Sequence, residues 1–388
     1  MKRFFLLVTV LCCSLWVSAA QDQKQAGPEL QKAVVPAHQD CYVPSFKVDA
    51  ADKLPVNVIL MIGDGMGLGH VASAMYANGG ELTVTSLRSC GWVRTQSASS
   101  FVTDSAASGT AYATGSKTHN SGLGVDKDNQ PLENIPELVQ KHGVVSGVVT
   151  TDRITGATPA AFYAHQSSRK ETDGIWGDLP GSSLIFFAGA DAKSFKKAPE
   201  AARKAIEEKY KVVTSLDDES LKNAPRVGYL PEKAAGQSKH KGRGDYLPAT
   251  TAYAIDFLKA HCQKNKGFFL MVEGAKIDHS AHGNDYQGVV EETLDFDKAV
   301  EAAIRFAEKD GKTLVIISAD HETGGLIARA KSEEEGTISA SFSSRSHSPM
   351  PVPLFAYGPC SQYFTGVQEN SDVALKIKSI LSGHKPAR

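Results

Sequence analysis

From Val56 onward, short runs of β-branched and apolar residues alternate with alanine-rich runs that have helical spacing. This alternation predicts consecutive βα units, which assemble into a largely parallel central sheet with helices on both faces. Apolar residues at helical spacing in 250–260 and 289–308 predict two of the covering helices. The expected fold class is therefore α/β, with three layers and a small surface insertion.

Polar residues follow the strand-like runs of this pattern. They are Asp64 after 58–62, Thr158 beyond 144–150, Glu273 after 268–272, Asp320 and His321 after 313–318, and the isolated His347. Ligands of open α/β sheets gather outside the carboxyl ends of the strands. We therefore expect these residues to converge at one edge of the sheet, although they are far apart in the sequence.

Ser105 stands at the start of a run of small residues with helical character. Backbone N–H groups at a helix N-terminus favour an anionic phosphate, so Ser105 is a candidate nucleophile. The alternative is that Asp104 or Ser105 only caps the helix. Further along, Thr158 followed by Pro159 predicts another helix that Thr158 caps, with Arg169 near the end of that helix.

Histidine and carboxylate residues recur with the spacing of metal ligands. Asp278 and His282 are four residues apart, so on a helix they share one face and can bind one ion. Imidazoles combined with carboxylates, as in the adjacent Asp320 and His321, suit zinc, whereas carboxylate and hydroxyl oxygens suit magnesium. Such oxygens are present at Asp64, Thr158 and Glu273. With a serine nucleophile, these ligands predict metal-assisted phosphoryl transfer.

The first twenty residues have the composition of an export signal. Two basic residues precede an apolar run over 4–17, and small residues at 18–20 provide a cleavage site. The apolar run is short for a membrane-spanning helix, which needs about 20 residues. We therefore expect a signal peptide over residues 1–20 and an exported protein, periplasmic or secreted, without a membrane anchor.

The rest of the chain divides into an arm and one large domain. Residues 21–52 are polar and predict an extended N-terminal arm that packs on a partner subunit or stays mobile. Residues 53–388 predict one α/β domain with an insertion within about 170–248, where Lys, Gly and Ser become frequent. The net charge of −1 gives no reason to expect nucleic acid recognition. The basic run at 239–243 is interpreted as a solvated loop.

Cysteine usage fits an exported protein but does not define a disulfide pattern. Removal of the signal peptide would leave Cys41, Cys90, Cys262 and Cys360. One or two disulfides could form among them, and four cysteines allow three full pairings. Buried free thiols are an equally good interpretation.

In order and spacing, these motifs resemble those of the alkaline phosphatase family over almost all of the chain after the signal peptide. The motifs are Gly63-Asp64-Gly65-Met66-Gly67, Thr103-Asp104-Ser105-Ala106-Ala107, Ala157-Thr158-Pro159-Ala160-Ala161, Val272-Glu273-Gly274, Ile277-Asp278, His282, Ala319-Asp320-His321-Glu322-Thr323-Gly324-Gly325, and His347 ahead of Val352-Pro353-Leu354.

The resemblance implies a role for each of these residues. Ser105 would be the nucleophile that is phosphorylated, and Arg169 would clamp the non-bridging phosphate oxygens with its planar guanidinium. The implied cofactors are two Zn²⁺ and one Mg²⁺. The ligands would be Asp278, His282 and His347 for the first zinc, Asp64, Asp320 and His321 for the second, and Asp64, Thr158 and Glu273 for magnesium. Phosphate monoesters as substrates, activity at alkaline pH and a homodimer are also implied.

The chain departs from the family pattern at two positions. Many members have Asp or His two residues before the threonine ligand, but this chain has Gly156, which predicts weaker magnesium binding unless Asp152 reaches the site. His279 stands where some relatives have lysine and predicts weaker retention of product phosphate, because imidazole is mostly neutral above pH 8, given its reference pKa of about 6.5. The alternative for His279 is a solvated or supporting residue without a kinetic role.

Two further histidines are candidates for contacts that tune the site. His119 and His165 lie beside the predicted nucleophile helix and Arg169 helix, where they could orient site residues. Structural roles are the favoured alternative for both.

Two other functions compete with the phosphomonoesterase. A phosphodiesterase or a sulfatase of the same superfamily would share the two-zinc site. However, Thr158, Glu273 and Arg169 mark the monoesterase arrangement, and a sulfatase would need a modifiable cysteine in place of Ser105. A catalytically silent scavenger of phosphate or metal would need the loss of a required residue, and each required position holds a competent one.

Overall fold

The computed structural model describes residues 29–190, 192–232, 236–263, 266–329 and 336–386. The predicted signal peptide and residues 21–28 of the predicted arm lie outside this range. In the described part of the chain, none of the helices combines the length and apolarity that crossing a membrane requires.

The strands, in chain order, are β1 (Leu30–Val34), β2 (Asn57–Gly63), β3 (Ser89–Arg94), β4 (Val145–Thr150), β5 (Leu184–Ala188), β6 (Lys211–Val213), β7 (Val227–Tyr229), β8 (Phe268–Gly274), β9 (Thr313–Ser318), β10 (Glu322–Thr323), β11 (Leu326–Ala328), β12 (Thr337–Phe342), β13 (His347–Ser348), β14 (Val352–Tyr357) and β15 (Gly366–Glu369). The helices are α1 (Leu68–Ala77), α2 (Ser105–Thr114), α3 (Ile135–Gln140), α4 (Ala157–Ala160), α5 (Thr172–Asp178), α6 (Ala192–Lys197), α7 (Glu200–Lys209), α8 (Tyr246–His261), α9 (Lys276–His282), α10 (Tyr286–Asp310) and α11 (Asn370–Leu381).

Ten strands form the central sheet in the order β15-β3-β14-β9-β2-β8-β4-β5-β7-β6. Within this sheet β14 is antiparallel to both of its neighbours, and the other strand pairs are parallel. The central strands β2, β8 and β9 are buried along their whole length. This burial explains their continuous apolar sequences, because helices cover both faces of a parallel sheet.

Two groups of helices cover the sheet. One group consists of α10 and the helices that contact it, α1, α8 and α9, and the other consists of α2, α3, α4 and α11. The helices predicted within 250–260 and 289–308 are present as α8 and α10. The predicted fold class, a three-layer α/β fold with a largely parallel sheet, is therefore confirmed.

The predicted arm packs on its own chain over its described residues. β1 pairs in an antiparallel register with β12, and the ring of Phe46 packs edge-on against Tyr357. Contact of the arm with a partner subunit stays a prediction, while its described residues pack on their own chain. The cause of this packing is the antiparallel edge that β12 offers to β1.

The range predicted as an insertion contains parts of the central sheet. β5, β7 and β6 extend the sheet beyond β4, and all three strands lie within 170–248. The exact extent of an insertion stays a prediction.

The basic run at 239–243 is not a solvated loop, because Arg243 is buried. Its guanidinium donates to Asp295 Oδ2 at 2.7 Å and also pairs with Glu292, and both carboxylates belong to α10. Lys239 adds a second ion pair to Asp295, at 2.8 Å. A buried guanidinium is stable only when such partners are present, so this run anchors the segment before α8 to α10.

The four cysteines that follow the predicted signal peptide are free thiols in the structure. Cys360 is buried and Cys90 is exposed, while Cys41 and Cys262 are partly buried. Of the two interpretations of the cysteines, the free-thiol one describes this structure.

Candidate metal centre and nucleophile

Three carboxylates converge at the carboxyl ends of the central strands. Asp64 directly follows β2, Glu273 is the penultimate residue of β8, and Asp320 lies two residues after β9. They meet because β2 lies between β8 and β9 in parallel register. Gly65 makes the turn after Asp64 with a φ of 70°, and a Cβ at this residue would lie 2.8 Å from Thr323 Oγ1. A glycine is therefore required where this turn approaches the site.

Ser105 is the first residue of α2 and is buried at the N-terminus of this helix. Asp104 caps the helix, since its side chain accepts a hydrogen bond from the Ala107 N–H at 3.0 Å. Ser105 Oγ lies 3.2 Å from His321 Nε2. The cap and the candidate nucleophile are thus adjacent residues, and the two interpretations of this helix start are compatible.

Arg169 is held close to Ser105 by the same Asp104. Its Nη1 lies 3.4 Å from Asp104 Oδ2, and its backbone N–H donates to the Ser121 carbonyl at 2.8 Å. Asp104 also accepts from the Ser121 N–H, at 3.0 Å. The Asp104 carboxylate therefore contacts both the start of α2 and the Arg169 guanidinium, and so fixes their relative position.

Asp278, His282 and His347 bring one ligand atom each to a common point. Asp278 and His282 share a face of α9, with 3.3 Å between Oδ1 and Nε2, as the spacing predicted. His347 Nε2 lies 3.1 Å from His282 Nε2 and 3.7 Å from Asp278 Oδ1. His282 Nδ1 lies 2.6 Å from the Arg345 carbonyl oxygen, and His347 Nδ1 lies 2.9 Å from the Thr103 carbonyl oxygen. Both imidazoles therefore present Nε2 to the same space.

Asp64, Asp320 and His321 form a second group beside the first. His321 Nε2 is 3.4 Å from Asp64 Oδ1 and 3.3 Å from Asp320 Oδ2. Burial raises the pKa of Asp64, and so do the neighbouring carboxylates, with Asp320 first among them. Burial and the nearby His347 lower the pKa of His321 to about 3, so this imidazole is neutral and offers a lone pair.

A third group of oxygen ligands lies on the other side of Asp64. Thr158 is buried in α4, and Glu273 is buried next to Thr150, whose hydroxyl bonds the Glu273 carboxylate. Burial raises the pKa of Glu273, and the carboxylate of Asp152 raises it further.

These groups fit metal ions by three criteria. Ligand atoms that bind one tetrahedral zinc at about 2.0–2.1 Å lie roughly 3.3 Å apart, which is close to the spacing in the first two groups. Asp64 Oδ1, Asp320 Oδ2 and Thr158 Oγ1 are buried without a hydrogen-bond partner among the described residues, as ligands that await a cation would be. Bound cations would also offset the mutual repulsion of the buried carboxylates, which raises the pKa of Asp64. Asp64, Asp320 and His321 bring their ligand atoms within 4.8 Å of one another, and so do Asp278, His347 and His321, the last in place of His282.

Thr323 is a site residue that the sequence did not single out as a ligand or a support. Its hydroxyl donates to Asp278 Oδ1 at 2.5 Å and lies 3.2 Å from His321 Nδ1. If His321 Nδ1–H donates to this oxygen, then Nε2 is left with its lone pair facing Asp64 and Asp320. Thr323 therefore connects the first group to the second.

The helix predicted around Thr158 differs from the structure. Thr158 does not cap it: α4 begins at Ala157, its N-cap is Gly156, and it has ended before Arg169. The Thr158 hydroxyl is thereby free of backbone capping and is available as a ligand. The residues between β3 and α2, directly before Ser105, form a loop.

The four supporting candidates occupy different places. His279 is exposed next to Asp278 and lies 3.1 Å from Lys276 Nζ, while Gly156 lies two residues before Thr158. His119 bonds the Asn120 carbonyl and Asn129, and His165 bonds the Gly124 carbonyl and Glu137 at 2.7 and 2.8 Å. None of these hydrogen bonds reaches a candidate ligand or Ser105. The contacts of His119 and His165 support the structural alternative for both.

Comparison with known proteins gives one consistent result. A family model described as alkaline phosphatase matches residues 56–185 and 237–336. Alkaline phosphatase 4 of Bacillus subtilis is 36% identical over 301 residues, which are 72% of this chain and 64% of that protein. Alkaline phosphatase H of Pseudomonas aeruginosa is 30% identical to this chain, and the alignment covers 87% of each of the two proteins.

The solved structures include an alkaline phosphatase from the Antarctic bacterium TAB5. A variant of it with Mg bound in its M3 site is 37% identical to this chain and superposes with a TM-score of 0.79. The superposition covers 85% of this chain and 99% of the TAB5 chain. The chain thus spans almost all of this structure but only 64% of the length of the Bacillus relative.

Proposed function

Because the chain belongs to the alkaline phosphatase family, we propose that it is a metal-dependent phosphomonoesterase that acts through a phosphoserine at Ser105. The observation that carries this proposal is the position of Ser105 Oγ, 3.2 Å from His321 Nε2 at the start of α2. The hydroxyl thus lies next to a ligand of the second group, at the N-terminus of a helix. A phosphate bound there would meet both the nucleophile and the cations.

In the proposed reaction, Ser105 Oγ forms a bond to phosphorus while the bond to the alcohol oxygen of the ester breaks. The phosphoserine is then cleaved by water, which restores the Ser105 hydroxyl and releases inorganic phosphate. Alkaline pH favours both steps because each attacking oxygen must lose its proton. The N-terminus of α2 stabilises the anionic phosphate near Ser105.

Arg169 and Asp104 position the phosphate. The guanidinium of Arg169 has N–H groups beyond the one that faces Asp104, and their planar arrangement suits two phosphate oxygens. Asp104 holds Arg169 close to Ser105 because it contacts both α2 and the Arg169 guanidinium. Such a clamp lowers the barrier by orienting phosphorus toward the nucleophile.

The cations proposed are two Zn²⁺ and one Mg²⁺. Asp278, His282 and His347 would hold the first zinc, Asp64, Asp320 and His321 the second, and Asp64, Thr158 and Glu273 the magnesium. When bound, these ions supply Lewis acidity that lowers the pKa of the serine and stabilises the leaving alkoxide. Oxygen-only ligands at the third group favour magnesium, and imidazoles at the other two favour zinc.

Export of the protein is also part of the proposal. Residues 1–20 have the composition of a signal peptide, and we propose a periplasmic or secreted enzyme that meets phosphate monoesters outside the cytoplasm. These residues lie outside the part of the chain that the structure describes.

A homodimer is proposed from an apolar groove beside the metal ligands. The groove has a volume of about 870 Å³, and Tyr76, Trp92, Ile327, Met350 and Val367 are exposed along it. Exposed apolar surfaces of this kind mark interaction sites. Glu322, adjacent to His321, lines the same groove, so a second copy bound there would also support the loops of the metal centre.

The proposal is tested by comparing p-nitrophenyl phosphate with its bis-ester at pH 9, with zinc and magnesium supplied, for wild type and Ser105→Ala. We expect monoester hydrolysis far above diester hydrolysis, and its loss in Ser105→Ala. Preference for the diester would reassign the protein to a phosphodiesterase, and metal binding without turnover would indicate a scavenger.

A further inference from the structure

Asp152 fills the space beside Gly156 at the edge of the third ligand group. A Cβ added to Gly156 would lie 2.9 Å from Asp152 Oδ2. Gly156 is the N-cap of α4, two residues before Thr158. A carboxylate is therefore present where residue 156 itself has no side chain to offer.

The backbone of Asp152 is tied to the third ligand group. Its N–H donates to Thr150 Oγ1 at 2.9 Å, and the same hydroxyl bonds the carboxylate of Glu273. Its carbonyl accepts from the Ala190 N–H at 2.7 Å. The position of Asp152 relative to Glu273 is thus set by one shared hydroxyl.

Lys276 faces Asp152 from the start of α9. Its Nζ lies 3.5 Å from Asp152 Oδ1 and 3.1 Å from His279 Nδ1. The side chains of Lys276 and Asp152 are only 12% and 22% exposed, so the pair is shielded from water. Lys276 is also only two residues before Asp278, a ligand of the first group.

The electrostatics of the pair indicate an ionised Asp152. Burial alone would raise the pKa of Asp152, but Lys276 and then His279 lower it below its usual value. The charge of Asp152 in turn raises the pKa of Glu273, after the larger effect of burial. A divalent cation between or beside the carboxylates of Asp152 and Glu273 would reduce this repulsion.

We propose that Asp152 is a positioning residue for Mg²⁺ in the third ligand group and that Lys276 competes with the cation for the Asp152 carboxylate. Mg²⁺ prefers six oxygen ligands and keeps several waters. Asp64, Thr158 and Glu273 leave coordination positions for water, and these waters need hydrogen-bond acceptors such as Asp152. The buried Thr158 Oγ1, which has no hydrogen-bond partner among the described residues, is the independent sign that a cation belongs there. This inference rests on the magnesium site of the proposed function.

The test is calorimetric titration of Mg²⁺ into zinc-loaded, magnesium-free protein. Asp152→Asn should raise the Mg²⁺ dissociation constant by about tenfold or more, as is usual when a supporting group of a metal site is lost. Lys276→Met should lower the Mg²⁺ dissociation constant several-fold, because it removes a positive charge that competes with the cation. Asp218→Asn and Lys211→Met change the same charges at an exposed pair away from the site and serve as matched controls.

Opposite shifts for the two variants would support the inference, whereas a merely structural pair would give shifts in the same direction. A dissociation constant within twofold of wild type for Asp152→Asn would overturn it. If Asp152→Asn does not fold, Lys276→Met decides alone, and unchanged or weaker binding would overturn the inference. Monoester hydrolysis by wild type, lost in Ser105→Ala, tests the proposed function separately, so the two failures are distinguishable.

Discussion

At the scale of single residues, Thr323 connects the first and second ligand groups of the metal centre. It donates to Asp278 in the first ligand group and lies 3.2 Å from His321 Nδ1 in the second. Its backbone N–H also donates to the Gly65 carbonyl at 3.1 Å, next to Asp64. A hydroxyl that orients ligands of both proposed zinc sites should influence how tightly each site holds its ion.

We expect Thr323→Val to weaken zinc binding by about tenfold or more, because a group that orients metal ligands is lost while the shape is nearly retained. Competition with a chromophoric chelator measures this. Thr323→Ser is the matched control, because it keeps the hydroxyl, and its zinc affinity should stay within about threefold of wild type. Equal zinc affinity of Thr323→Val and wild type would contradict the role assigned to Thr323.

The sequence predicted residues that follow strands or share a helix face, and it missed contacts made only by folding. Asp64, Glu273 and Asp320 could be predicted because strand ends place them, and Asp278 with His282 because helical spacing pairs them. Thr323 could not, since nothing in its neighbourhood shows that α9 will bring Asp278 next to it. The sequence raised Asp152 only as a residue that would strengthen magnesium binding if it reached the site. Its carboxylate approaches Gly156 through a loop, and no spacing rule predicts the turns of that loop.

At the scale of elements, α10 has two functions on one helix. Its apolar residues cover the sheet, as their spacing predicted, but Glu292 and Asp295 on the same helix are buried with Arg243. The basic run looked solvated because its partners are 49 and 52 residues away in the sequence. A hydrophobic pattern identifies the helix, whereas a long-range ion pair is visible only in the fold.

Removal of Arg243 should destabilise the protein strongly. Arg243→Met would leave Glu292 and Asp295 buried with only Lys239 as a partner, and the loss of one member of a buried ion network costs about 3–5 kcal/mol. Urea unfolding at pH 7 of the metal-loaded protein measures the change. Lys241→Met, an exposed change in the same run, should cost less than about 0.5 kcal/mol. Similar stabilities for the two variants would show that Arg243 is not an anchor.

At the scale of the whole molecule, the parallel part of the sheet could be predicted, but its edges could not. The parallel direction of β9, β2, β8 and β4 follows from repeated βα units, whereas their order in the sheet does not. By contrast, β14 runs antiparallel between β9 and β3, and β1 joins β12 in a separate small sheet. These pairings connect residues that are distant in the chain, and alternation of apolar residues does not determine the partner of a strand.

The apolar groove predicts a dimer that single charges should disrupt. An aspartate in place of Ile327 or Met350 would bury an unpaired charge in the interface, so we expect the variants to be monomeric where wild type is dimeric. Sedimentation velocity over a concentration series measures this. Val43→Asp, at an exposed arm residue outside the groove, should leave the dimer intact. Dimers that persist in both groove variants would place the interface elsewhere.

The central claim, that Ser105 carries the phosphate during turnover, is tested most directly by trapping the covalent intermediate. Metal-loaded enzyme is mixed with excess p-nitrophenyl phosphate, quenched in acid, digested and analysed by mass spectrometry. The account predicts phosphate on Ser105 of the wild type and no phosphate on this peptide in Ser105→Ala. Sustained monoester hydrolysis with no phosphate on Ser105, or with phosphate on another residue, would contradict it.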